Sequence, residues 1–138
     1  MINIADLLPH AAPFILPDKV LDVELEKGQI RTQKKIEEGD YFLNGHFEKQ
    51  PVFPGVMIIE TMAQSAGVLL SMTYEPRTMF LAKVSDVRFR SVVRPGDCLE
   101  IFVQVEKSKG RIWTFSSEVK KGEELVASSS FTLALEEK

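Results

Sequence analysis

The run from Val56 to Met72, VMIIETMAQSAGVLLSM, sets the strongest limit on how this chain folds. It holds no proline and one glycine, Gly67, and much of it is Met, Leu, Ala, Glu and Gln, all good helix formers. It is apolar nearly all the way round, which predicts a helix wrapped on every side rather than one lying on a surface. Glu60 and Gln64 are four apart, as are Thr61 and Ser65, so most of the polar groups gather into one narrow strip. A membrane span is disfavoured, because the run is shorter than about 20 residues and carries a carboxylate in its middle. A carboxylate on a buried helix must be paired, protonated or functional.

The residues just upstream read as a rigid entry to that helix. Pro54 has a fixed φ suited to a first turn or the residue before one, and Gly55 permits a tight approach. Before them lies NGHFEKQPVF, a loop that carries His46. After the helix, Pro76 marks another loop.

The rest of the chain reads as strands. Residues 2–8 suit one short helical turn, and Pro9, Pro13 and Pro17 then break regular helix, with Phe14, Ile15 and Leu16 expected to enter the core. Residues 19–26 and 29–36, joined at Lys27-Gly28, read as a hairpin. Residues 79–93 read as one or two strands with Lys83, Arg88 and Arg90 spaced along them, ending at the turn Arg94-Pro95-Gly96-Asp97. Three alternating segments come next, separated by Lys109-Gly110 and Lys121-Gly122, and predict an antiparallel meander. The economical fold is α+β: an antiparallel sheet curled around a single helix. Its open edges would be covered by pairing two copies edge to edge.

Composition narrows the function classes. The length of 138 residues suits a single domain, 1–138, and 44% hydrophobic residues allow a sizeable core. A net charge of −3 argues against a nucleic-acid binder. One cysteine, Cys98, excludes an internal disulfide and fits a reducing compartment. The N-terminus lacks the pattern of a signal peptide, so a cytoplasmic location is expected.

Few residues offer chemistry. Of the two histidines, His10 sits in a proline-rich entry and reads as structural, whereas His46 is held by Pro and Gly beside a helix start. That setting suits a general base. Apolar surroundings favour the protonated form of a carboxyl group, so Glu60 is a candidate proton donor to set against a neutral His46. The bland alternative is a Glu60 paired to a buried arginine or capped by Gln64. The free N–H groups at Gly55 offer a place for a polarised carbonyl or enolate oxygen, unless the glycine serves the turn alone. No metal-ligand spacing, P-loop or dinucleotide fingerprint is present.

Taken together, GHFEKQPVFPGVMIIETMAQSAGVLL resembles the (3R)-hydroxyacyl-acyl carrier protein dehydratases of the FabZ type, which have the hotdog fold. The family motif reads Gly-His-Phe-Pro, a short spacer, Pro-x-(Phe/Met)-Pro-Gly, then Glu-Ala-Met-Ala-Gln. His46 and Glu60 keep its separation of 14 residues. LPHAAPFILPDKV and FLAKVSDVRFRSVVRPGD are similar to further family segments, so the likeness covers most of the chain.

The resemblance implies a β-hydroxyacyl thioester on the phosphopantetheine of acyl carrier protein, dehydrated to the trans-2-enoyl thioester without cofactor or metal. His46 would take the α-proton and Glu60 would protonate the leaving hydroxyl, although one residue shuttling both protons stays open. The Gly55 N–H would bind the thioester carbonyl, and Gln64 would orient Glu60. Glu60, rather than the Asp found in the dehydratase/isomerases, implies dehydration without isomerisation. Phe53, Met57, Phe80, Leu81 and Phe89 are candidates to line an acyl tunnel, and Lys83, Arg88, Arg90 and Arg94 to dock an acidic carrier protein. The resemblance also implies a homodimer with shared sites, with a trimer of dimers as the larger option. An acyl thioesterase and a non-catalytic acyl-binding subunit are the alternatives. Departures fall at Glu48 and Lys49, where the family has Pro and Gly, at Ala11-Ala12, and at Lys83.

Overall fold

The computed structural model describes residues 2–8, 15–37, 52–74 and 78–136. Their elements are α1 (Ile4–Leu7), β1 (Lys19–Glu24), a 3-10 turn (Leu25–Lys27), β2 (Gln29–Lys35), α2 (Gly55–Thr73), β3 (Met79–Phe89), β4 (Cys98–Lys109), β5 (Ile112–Lys121) and β6 (Glu124–Leu135). The expected helix is there and is one residue longer at each end. Residues 79–93 hold one strand, not two.

The six strands form one antiparallel sheet in the order β1-β2-β4-β5-β6-β3. Alternation sends one set of side chains toward α2. One inward row runs Thr32, Ile101, Val119, Ala127 and Phe89 across five strands. Another runs Val105, Phe115, Phe131 and Val84, in which Phe115 and Phe131 stack with centroids 5.3 Å apart. Burying such side chains stabilises by about 1.5–3 kcal/mol each, so packing rather than helix propensity holds α2 in place.

α2 is buried at Ile58 and continuously from Thr61 to Ser71, and only its ends reach solvent. Its length and hydropathy match a membrane span, but its apolar surface is spent on the sheet. Gly67 matters to this packing. A Cβ there would lie 3.1 Å from Leu8 Cδ2 and 3.5 Å from Met79 Sδ, so its absence lets α1 and β3 close over the helix. The polar strip divides into two hydrogen-bonded chains. In one, the Thr32 and Ser65 hydroxyls meet at 2.7 Å, Ser65 donates to the Thr61 carbonyl at 2.8 Å, and Thr61 donates to the Met57 carbonyl at 2.7 Å. The other chain contains Glu60 and Gln64 and is described below.

β3 is an edge strand with two bulges. Leu81 pairs Leu133 and Lys83 pairs Thr132, leaving Ala82 extra; Ser85 pairs Ser130 and Arg88 pairs Ser128, leaving two residues opposite Ser129. Asp86 takes φ of 53° at the second bulge, a left-handed conformation that Asp tolerates better than most residues. Each bulge reverses the facing of the strand residues beyond it. The second one turns Phe89 inward and Arg88 outward.

Candidate active site

Glu60 is half-buried on the second turn of α2. Its Oε2 accepts a 3.0 Å hydrogen bond from Gln64 Nε2, one turn further on. Gln64 is 1% exposed, and its Oε1 accepts from the Leu16 backbone N–H at 2.9 Å. Because Leu16 N–H can only donate, the amide oxygen of Gln64 must face it, and the NH2 group must then face Glu60. The carboxyl group is thus held by a side chain whose own orientation is fixed from a distant segment.

Beside this pair lies a pocket of about 80 Å3 lined by Glu60, Ala63, Gln64, Gly67, Met79, Leu81 and Leu133. It runs along the helix from the carboxyl group toward Gly67, and apart from Glu60 and Gln64 its walls are apolar. A larger concavity of about 640 Å3 lies on the opposite, outer face of the sheet, with mixed charged walls that include the Arg31–Glu100 ion pair. It is remote from Glu60, and its charges suit solvent better than an acyl chain.

Gly55 is the first residue of α2, with Pro54 as its cap. The N–H groups of Met57 and Ile58 bond to the Pro54 carbonyl, at 2.9 and 3.2 Å. The N–H groups of Gly55 and Val56 precede any intrahelical acceptor. Along the helix, Gly55 and Glu60 are separated by about 7.5 Å of rise. The reason for glycine differs from the tight turn expected. Gly55 is not among the residues with positive φ; instead the Phe89 ring occupies the space, with Cζ 2.9 Å from where a Cβ would be.

The other candidates separate. Leu81 lines the pocket, Phe89 covers Gly55, Phe53 is buried and bonds through its N–H to the Val93 carbonyl, and Met57 is half-buried. Phe80 lies between Met79 and Leu81, faces away from this pocket and is 56% exposed. Lys83, Arg88, Arg90 and Arg94 are all exposed. Arg88 and Arg90 border an outer-face groove with Asp86, Glu118 and several serines, while Arg94 stands at the β3–β4 turn, its N–H bonded to Asp97. His46, His10, Glu48 and Lys49 fall outside the described residues.

Sequence reading missed Lys34. It alternates with Ile30 and Thr32 on the inward side of β2, its side chain 9% exposed, with Asp18 3.6 Å away. That alternation was the available signal.

One curled antiparallel sheet around a helix that presents a carboxyl group beside an apolar pocket defines the hotdog class, which includes dehydratases and thioesterases. The model of the FabA-like domain matches residues 8–130, and the chain belongs to that family. It is 36% identical to the 3-hydroxyacyl-[acyl-carrier-protein] dehydratase FabZ of Rickettsia felis over 99% of this chain and 95% of the relative. Identity is also 36% to the FabZ of Anaeromyxobacter dehalogenans, covering 98% and 89%. Among solved structures, a chain of the dehydratase heterocomplex ApeI:P from Xenorhabdus doucetiae superposes with a TM-score of 0.86 at 20% identity, covering 100% of this chain and 93% of that one. A phenylacetic acid degradation-related protein from Ralstonia eutropha shares the fold at a TM-score of 0.67 and 18% identity, covering 84% of this chain and 83% of that one.

Proposed function

We propose that this protein dehydrates (3R)-3-hydroxyacyl-acyl carrier protein to the trans-2-enoyl thioester in fatty-acid or related acyl-chain biosynthesis. The observation that carries the reading is Glu60, set beside an apolar pocket and held through Gln64 by the Leu16 amide. Hydroxide is a poor leaving group, and a positioned carboxylic acid can protonate it as the C–O bond breaks. His46 removes the α-proton, the electron pair moves into the Cα–Cβ bond, and water leaves. Negative charge collects on the thioester oxygen during the transfer, and the Gly55 N–H at the helix start lies where such charge is stabilised. Proton transfer between fixed groups accounts for the chemistry, so neither metal nor cofactor enters the scheme.

The substrate arrives on a carrier protein, for which Lys83, Arg88, Arg90 and Arg94 supply exposed positive charge. A homodimer completes each site, His46 and Glu60 of one site coming from different copies; the long, bulged β3 edge with Phe80 and Leu81 exposed supports that reading. The reaction runs in solution in the cytoplasm, in keeping with α2 serving as core.

The deciding experiment incubates the protein with 3-hydroxybutyryl and longer 3-hydroxyacyl carrier proteins and monitors products by mass. A loss of water on the carrier-bound chain is expected. Release of free hydroxy acid, without dehydration at any chain length, would establish a thioesterase instead.

A further inference from the structure

Residues 15–18 are neither helix nor strand, yet they reach both halves of the fold. Pro17 confines Leu16 to extended backbone. Leu16 is 0% exposed, so its N–H needs a protein partner, and that partner is Gln64 Oε1. Two residues later the segment is fastened to β2. Asp18 N–H donates to the Gln33 carbonyl at 2.7 Å, Asp18 Oδ2 accepts from Lys35 N–H at 2.6 Å, and Oδ1 lies 3.6 Å from Lys34 Nζ. The Asp18 side chain is 44% exposed, so screening weakens its attraction to Lys34, and the short bond from Lys35 is the firmer anchor.

We infer that residues 15–18 form a positioning strap for Glu60, and that Asp18 is a positioning residue for the dehydration, acting through Leu16 and Gln64. Asp18 and Leu16 are separated by about 7 Å of extended chain stiffened by proline. A shift at Asp18 is therefore delivered to the Leu16 N–H. There it changes how Gln64 presents its NH2 group, and so the angle at which Glu60 meets the substrate hydroxyl. The inference rests on Glu60 being the acid. Its test separates the two ideas, because Glu60 and Asp18 are altered independently.

The experiment is a double-mutant cycle of Asp18→Ala and Gln64→Ala in the full-length protein, measuring kcat and KM with 3-hydroxybutyryl carrier protein alongside thermal unfolding. Asp18→Ala is expected to lower kcat about tenfold with KM within about twofold, the signature of a displaced group rather than lost binding. Asp18→Asn keeps an acceptor for Lys35 N–H and is expected to recover to about a threefold deficit. In the Gln64→Ala background the Asp18 substitutions should cost nothing further, because the link they act through is gone. Deficits that multiply overturn the strap, as does a folded Asp18→Ala with wild-type kcat. If Asp18→Ala does not fold, the same cycle with Asp18→Asn decides by the same criterion. If Glu60→Ala keeps near-normal turnover, the acid assignment fails whatever Asp18 does. An inactive Glu60→Ala beside a fully active Asp18→Ala removes the strap alone.

Discussion

Replacing Gly55 with alanine tests whether the helix start is shaped by a ring contact or by its backbone. The added Cβ would stand 2.9, 3.1 and 3.2 Å from Cζ, Cε1 and Cε2 of Phe89. Overpacking of that kind costs about 1–3 kcal/mol when the neighbour is fixed. Here the ring is 50% exposed and can swing outward, which favours the lower end. Against this, Gly→Ala at a residue without positive φ gains about 0.4–1 kcal/mol from reduced freedom of the unfolded chain. The net expectation is a loss of about 0.5 kcal/mol, or about 2 °C in Tm for a chain of this size. Activity should respond far more where the helix start rather than the ring gives way: a first-turn N–H displaced by a fraction of an ångström from the thioester oxygen proposed to lie there predicts a fall of about 100-fold in kcat. Calorimetry and the carrier-protein assay would be run on Gly55→Ala, Phe89→Leu and the double variant. With a smaller side chain opposite, Gly55→Ala should become neutral or stabilising. An equal stability cost in both backgrounds would refute the ring-contact argument.

His46→Ala and Glu60→Ala should each remove most activity while leaving the assembly state unchanged, as read by turnover and sedimentation; retention by Glu60→Ala would remove it as the acid. Thr32→Val should cost about 1–2 kcal/mol in denaturant unfolding through the lost partner of Ser65, and adding Ser65→Ala should cost less than the sum of the single changes. Phe131→Ala should cost about 3–5 kcal/mol by leaving a cavity against Phe115, and a loss under about 1 kcal/mol would contradict the packing described. Sedimentation at micromolar concentration should show a dimer or larger assembly, and a clean monomer would sink the shared-site scheme.

The parts of the fold written in local pattern were legible. The helix bounds, the turn at Lys27-Gly28 and the β4–β5–β6 meander stem from periodicity and turn residues that act within a few positions. The unread parts depend on distant partners. Nothing near Gln64 says that Leu16, 48 residues earlier, fixes its amide. Nothing near Gly55 announces the ring of Phe89, which reaches it from the edge strand β3, where the two bulges cancel and leave Phe89 on the same inward face as Leu81. Glu60 and Gln64 were recognisable because a carboxylate in an apolar helix is conspicuous in any context.

The two bulges of β3 have a consequence for the chain before it has found any partner. An exposed edge of 11 residues rich in Met, Phe, Leu and Val would ordinarily invite stacking into cross-β aggregates, for which about six or seven unbroken strand residues suffice. Here regular pairing is confined to 79–81, 83–85 and 88–89, no run longer than three residues. A newly made protomer can therefore carry this edge through the cell with little risk of seeding fibres. A deletion that straightened β3 would show its harm first as insolubility.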